Sequence, residues 1–206
     1  MAGKHLPSKV SALYTAVEEL IAEDIDIKEI KVSDITRRAG IGKGTAYEYF
    51  KNKEEIISSA ILYHIDSICR GMMKELDSLD GFPQMIGCIL ETMDEKMVKR
   101  GCLLKYIHLL TDNSPISKIL RQRIKERKGN ICLPHDIIQR LIQAGEDGGI
   151  IDQSLPSSYI EMEIASRLMT YAAYYTLQVN PEEQKAEREQ LKELIVNSLL
   201  KSMNIR

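Results

Sequence analysis

Val10, Leu13, Tyr14, Val17, Leu20 and Ile21 recur at the three- and four-residue spacing of a single helix face, with Glu18, Glu19, Glu23 and Asp24 opposite them. This pattern predicts an amphipathic helix over residues 8–23. A short connector, DIDIKEIK, leads to a second helix at VSDITRRA, stopped by Gly40, and a third, KGTAYEYF, follows within a few residues. Asn52 is placed to cap a fourth helix, with Glu54 and Glu55 in its first turn. One apolar stripe (Ile57, Ala60, Ile61, Ile65, Ile68, Met72, Leu76) carries that helix to about residue 77.

Gly81-Phe82-Pro83 opens a fifth helix, with Met85, Ile86, Ile89, Leu90, Met93 and Met97 on one face, and a sixth is expected over 103–110. Asn113-Ser114-Pro115 starts a seventh, interrupted near Lys128-Gly129-Asn130 and Leu133-Pro134, whose spacing resumes at Ile137. The eighth runs from Ser154-Leu155-Pro156 to about Val179, and the ninth from Pro181 to about Met203. No alternating strand pattern exceeds four residues, and there is no internal repeat. The fold class is therefore all-α with about nine helices: a helix-turn-helix unit at 1–50, then a helical domain at 51–206.

Composition narrows the function. Of 206 residues, 44% are hydrophobic and 28% charged, with a net charge of −2, so the chain as a whole is not a polycation that coats nucleic acid or membrane. No apolar run approaches the length of a membrane span, and the N-terminus turns acidic too soon for a secretory leader. The four cysteines (Cys69, Cys88, Cys102, Cys132) stand 19, 14 and 30 residues apart with no C-x-x-C pair, as buried thiols of a reducing cytoplasm would. His5, His64, His108 and His135 lack metal-ligand spacing, so neither a metal nor a cofactor is expected.

The stretch AGIGKGTAYEYFKNKEE concentrates glycines around Lys43. A phosphate-binding loop would need a second glycine five residues before Gly42 and a hydroxyl residue directly after the lysine. Arg37 and Gly44 stand there instead, and a helix, not a strand, precedes. Helix, glycine turn, helix is instead the unit that lays its second helix in the DNA major groove. Small and hydrogen-bonding residues at that helix's start (Gly42, Lys43, Gly44, Thr45) let backbone and side chains reach base edges and phosphates. Residues 28–53 hold seven Lys/Arg against three acids, a net of +4, which leaves −6 on the remainder of the chain.

VSDITRRAGIGKGTAYEYFKNKEEI resembles the signature of the TetR (tetracycline-repressor-like) regulators. Val32, Asp34, Ile35, Ala39, Gly40, Gly44, Thr45, Tyr47, Tyr49, Phe50, Lys53 and Glu54 carry the match, which covers about residues 8–57. The resemblance implies DNA-backbone contacts from Thr45, Tyr47, Tyr49 and Lys53, and a base-facing Lys43. Lys31, Ser33 and Gly44 complete the DNA-binding set. Ile35, Ala39, Ile41 and Phe50 would form the small core. Three positions depart from the pattern: Lys31 replaces a capping Thr or Ser, Gly42 a Ser, and Ala46 a larger apolar residue.

The implied protein is a cytoplasmic homodimer that binds double-stranded operator DNA and an unknown small-molecule effector. It would most readily be a repressor released by that effector; an activator, or an α-helical binding protein or enzyme without DNA binding, stays open. Effector-pocket candidates are Ile61, His64, Ile65, Ile68, Met72, Met93, His108, Met169 and Tyr175, with Tyr63 and Tyr171 beside them. Small and apolar positions on the last two helices (Ala165, Met169, Ala172, Thr176, Leu191, Leu194, Ile195, Leu199) suit the paired helices of the implied dimer.

Overall fold

The computed structural model describes residues 6–23, 25–94, 112–126, 131–176 and 185–204. Among these there are nine helices and no strand: α1 (Ser8–Ala22), α2 (Val32–Arg38), α3 (Lys43–Tyr49), α4 (Lys53–Leu76), α5 (Phe82–Thr92), α6 (Pro115–Glu126), α7 (Pro134–Asp147), α8 (Ser157–Thr176) and α9 (Lys185–Met203). The helix expected over 103–110 and the end of the fifth beyond residue 94 lie outside the described residues.

The interrupted seventh pattern proves to be two helices. Leu133 takes an extended conformation as the N-cap of α7, and its N–H donates to the Asp136 carboxylate at 2.8 Å. Pro134 follows at the first helical position, where its missing N–H would have gone unpaired anyway.

Contacts divide the chain into two compact units. One comprises the described residues of Met1–Ser67 and Lys105–Ile131; the other comprises those of Ile68–Leu104 and Cys132–Arg206. The division crosses α4, so that one helix contributes to both. In the first unit Leu13, Val17 and Ile21 of α1 meet Ile35 of α2, Ala46 of α3, Ile56, Ile57 and Ile61 of α4, and Ile116 and Leu120 of α6. Ile27 and Ile30 anchor the α1–α2 connector in the same core. The core of the second unit is built on Leu76, Phe82, Met85, Ile86, Leu141, Ile164, Leu199 and Met203. Gly145 makes room there: a Cβ on it would sit 2.5 Å from Ile151 Cδ1.

Candidate nucleic-acid interface

Local chemistry fixes the turn between α2 and α3. Gly40 has φ +66°, the left-handed region that costs glycine nothing. Its N–H donates to the Arg37 carbonyl at 3.3 Å, and the Ile41 N–H reaches back to the Thr36 carbonyl at 3.0 Å. These are the two bonds of a Schellman helix stop. The other end of α2 keeps half of a capping box: with Lys31 in place of a hydroxyl residue, the Asp34 carboxylate still accepts the Lys31 N–H at 3.2 Å. The Thr36 hydroxyl, buried, donates to the Val32 carbonyl at 2.9 Å.

Between these ends α3 is held by one small side chain. Ala46 is fully buried, with Phe50 beside it and Ile41 half-buried against the same core. The opposite face carries Lys43, Gly44, Tyr47 and Tyr49, all exposed, with Thr45 half-buried. Tyr47 is 51% and Tyr49 42% exposed, unusual for large aromatic residues and suited to hydroxyls that donate outward. No atom lies within 4 Å of where a Cβ would stand on Gly42 or Gly44, so the backbone at the start of α3 is bare.

The surrounding cations separate by what they touch. Lys31 and Lys43 are exposed and Ser33 half-buried, all three at the starts of α2 and α3. Arg38 is committed to α1, with a two-pronged contact to Glu23 at 2.6 and 2.8 Å and Glu19 at 3.6 Å. Arg37 pairs with Asp34 at 3.0 Å. Lys53, half-buried, donates from Nζ to the Lys28 carbonyl at 2.9 Å, so its ammonium holds the α1–α2 connector. Lys28 in turn pairs with Asp112 at 3.2 Å, just ahead of α6. Hydrogen bonds from the Ser117 hydroxyl, which outweigh the effect of burial, and from Ser114 hold that carboxyl well below the usual carboxylate range.

Of the expected effector-pocket residues, Tyr63 lines one cleft and Tyr171 another, whereas Ile61, His64, Ile65, Ile68, Met72, Met93 and Met169 line neither of these two. Ile61 is fully buried in the first core, and Met72 and Met93 in interior positions of the second unit, because their stripe is consumed by packing. Ile65 is half-buried, and Ile68 and Met169 are exposed. His64 donates from Nε2 to the Tyr14 carbonyl at 3.1 Å, with Nδ1 3.4 Å from Glu18, so it ties α4 to α1. His108 and the Tyr175 side chain lie outside the described residues.

The first cleft, about 450 Å³, opens among α1, α4 and α6. The second, about 530 Å³, lies along α8 and α9 between Thr170, Tyr174, Leu191 and Ile195. Arg123 in the first cleft escaped the sequence reading because its partners Glu55 and Ser59 stand more than sixty positions away and leave no local pattern.

Of the expected dimer-face residues, Ala172 and Leu199 are corrected: both are fully buried within the protomer and so have no surface to share. Leu194 is 56% and Met169 40% exposed, Ala165, Leu191 and Ile195 are half-buried, and the Thr176 side chain lies outside the described residues. Near the second cleft a polar group is satisfied internally: the Tyr171 hydroxyl donates to Asp94 at 2.7 Å, and Lys192 pairs with Asp94 at 2.9 Å. Burial pulls the Lys192 ammonium down, but Glu189 and Asp94 outweigh it and hold it above the ordinary lysine value.

The helix-turn-helix geometry finds its counterpart among known proteins. Residues 15–60 match the bacterial regulatory proteins of the tetR family. Over that segment the chain has the N-terminal sequence of the tetR family. The chain is a DNA-binding transcriptional regulator, and its relatives are regulators, not enzymes. It is 27% identical over 139 residues to the fatty acid metabolism regulator protein of Bacillus subtilis, covering 67% of this chain and 70% of that protein. The fold is similar to that of the regulator FadR from Bacillus subtilis in complex with stearoyl-CoA (TM-score 0.69, 18% identity, 94% of this chain and 99% of that one). It is also similar to FadR from Bacillus halodurans (TM-score 0.70, 18% identity, 98% and 100%). No helix among the described residues is long and apolar enough to cross a membrane.

Proposed function

We propose that this regulator is a homodimeric repressor whose reading head, residues 1–50, leaves its operator when a fatty acyl thioester binds within residues 51–206. The observation that carries the DNA-reading half is the bare, outward start of α3, where Lys43, Gly44, Tyr47 and Tyr49 stand exposed on a core-anchored Ala46. In this reading Lys43 faces base edges, Thr45, Tyr47 and Tyr49 hold phosphates, and Lys31 and Ser33 flank them. The effector half is supported by the likeness to a fatty acid metabolism regulator and to a FadR that holds stearoyl-CoA. Two reading helices in successive major grooves, about 34–36 Å apart, require a dimer. Exposed Met169 and Leu194 on α8 and α9 supply an apolar face for it.

α4 is the channel of the switch: it starts beside the reading helix at Lys53 and continues into the second unit without a proline. Coupling of this sort amounts to ~1–3 kcal/mol, or about 5–150-fold in operator affinity, and is reciprocal. The test is a gel shift on the DNA bordering the gene, repeated with acyl-CoA thioesters of increasing chain length. Specific retardation that long-chain thioesters relieve and free CoA does not is the expected result. Specific retardation indifferent to every thioester would refute the effector class, and no sequence-specific retardation would refute the DNA-reading role.

A further inference from the structure

α3 buries a single side chain, Ala46, and packing on one small residue leaves the angle of so short a helix weakly fixed. That angle depends instead on the chain at either side of the α2–α3 pair. Lys28 stands three residues before Lys31, the N-cap of α2, and Lys51 two residues after Tyr49, the last of α3. Both are tied to α6, a helix that lies more than sixty positions further along the chain.

The first tie lies just ahead of α6. The Lys28 ammonium pairs with the Asp112 carboxylate at 3.2 Å, while the Lys28 carbonyl accepts from Lys53 Nζ at 2.9 Å. Asp112 cannot swing away with it. Its carboxylate accepts from the Ser114 N–H at 3.0 Å and from the Ser117 hydroxyl, and its carbonyl accepts from Arg121 at 2.6 Å. The second tie is in the last turn of α6. One amino group of Arg123 donates to the Ser59 hydroxyl at 2.7 Å and the other to Glu55 at 2.9 Å, two residues one turn apart on α4. Using both groups on two acceptors fixes the direction of the guanidinium. The other oxygen of Glu55 accepts the Lys51 N–H at 2.8 Å, so one carboxylate joins α6 to the backbone that leaves α3.

We propose that Asp112 and Arg123 are positioning residues for DNA reading: from the two ends of α6 they set, through Lys28 and Glu55, the angle at which α3 enters the groove. The clamp serves the DNA-reading role and is independent of the acyl thioester. Charge alone makes a different forecast. Removing an acid brings a protein closer to a polyanion whatever its sequence, whereas loosening the clamp at Asp112 weakens the operator complex and spares random DNA.

The experiment compares the full-length protein with Asp112→Asn, Arg123→Met and Arg123→Lys, at a temperature where circular dichroism shows each to be folded. Fluorescence anisotropy is read on a duplex from the DNA bordering the gene and on a random duplex. Asp112→Asn and Arg123→Met should each lower the ratio of operator to random affinity on the order of tenfold. The salt slope of Arg123→Met should match the wild type, because its guanidinium holds Glu55 and not a phosphate. Arg123→Lys keeps a charge for Glu55 and should restore most of the ratio. Without DNA, hydrogen exchange of the Lys51 amide should quicken in Arg123→Met while the Leu13 and Val17 amides of α1 keep their protection. An unchanged ratio in either variant, a reduced salt slope, a lysine that restores nothing, or an unchanged Lys51 amide would each overturn the proposal. A wild-type protein that prefers no duplex would refute the DNA-reading role and the clamp with it, a failure distinct from that of the variants alone.

Discussion

Gly44→Ala separates the requirements of folding from those of DNA binding, because the two respond with opposite sign. Gly44 lies in the first turn of α3, and a Cβ placed there meets nothing within 4 Å. Replacing a helical glycine with alanine under those conditions stabilises the fold by roughly 0.5–1 kcal/mol through lost freedom of the unfolded chain. For a chain of this size about 1 kcal/mol corresponds to about 2–4 °C, so the midpoint of thermal unfolding should rise by roughly 1–4 °C. On DNA the same methyl stands where the backbone would approach a phosphate. Losing one N–H bond to a charged acceptor costs about 1.5–3 kcal/mol, roughly ten- to a hundredfold in affinity.

The assays are thermal unfolding by circular dichroism and fluorescence anisotropy on operator and random duplexes. Gly40→Ala is the internal control, since φ +66° makes it cost about 1–2 kcal/mol of folding with no DNA-facing methyl. A Gly44→Ala protein that binds its operator normally would refute the placement of α3 against DNA. One that melts lower would refute the openness of the position.

Three further outcomes are expected. Lys53→Ala should reduce the slope of log affinity against log salt by about 0.9 if the ammonium neutralises a phosphate; weaker binding at an unchanged slope would confine Lys53 to holding the Lys28 carbonyl. Asp112→Asn should destabilise at neutral pH. Because the folded carboxyl titrates below its unfolded value, that stabilisation is present above about pH 4 and lost as the pH falls further, so denaturant midpoints of the two proteins should converge in acid; a gap independent of pH would refute the Lys28–Asp112–Ser117 linkage. Leu194→Glu should convert a dimer of twice the 23.4 kDa chain to monomer in light scattering, and an unaffected dimer would move the interface elsewhere.

The parts of this protein legible in the sequence are those whose causes are local. Gly40, Asn52 and Pro134 act within four residues through φ, capping or a missing donor, and each stands at a helix boundary in the structure. The exposed face of α3 followed from the same short-range reading. The effector-pocket candidates Ile61, Ile65, Ile68 and Met72 came from the apolar stripe of α4, and a stripe says which side is buried but not whether a partner side chain or a cavity lies against it. Ile61 and Met72 met side chains. Lys53 could not be separated from a DNA contact by sequence alone, since its partner is a backbone oxygen 25 positions away with no side-chain signature. The clefts depend on residues such as Tyr14, Ser59 and Arg123 that only tertiary folding brings together.

α6 contributes Ile116 and Leu120 to the core shared by α1 and α4, although the chain passes through Ile68–Leu104 of the second unit between Ser67 and α6. The head is thus complete only when this later helix has been laid against it. On the ribosome, α1 to α3 must wait for the chain beyond Leu120 before their apolar surface is fully covered, which exposes them longest to misassociation. The same dependence limits recombination. A chimaera that grafts residues 1–50 onto another regulator of this fold would leave Leu13, Val17 and Ile21 facing foreign side chains in place of Ile116 and Leu120, whereas one that carries α6 along with the head keeps more of its own core. Exchange of DNA specificity between such regulators should therefore succeed by replacing the exposed face of α3 and fail by transplanting the head alone.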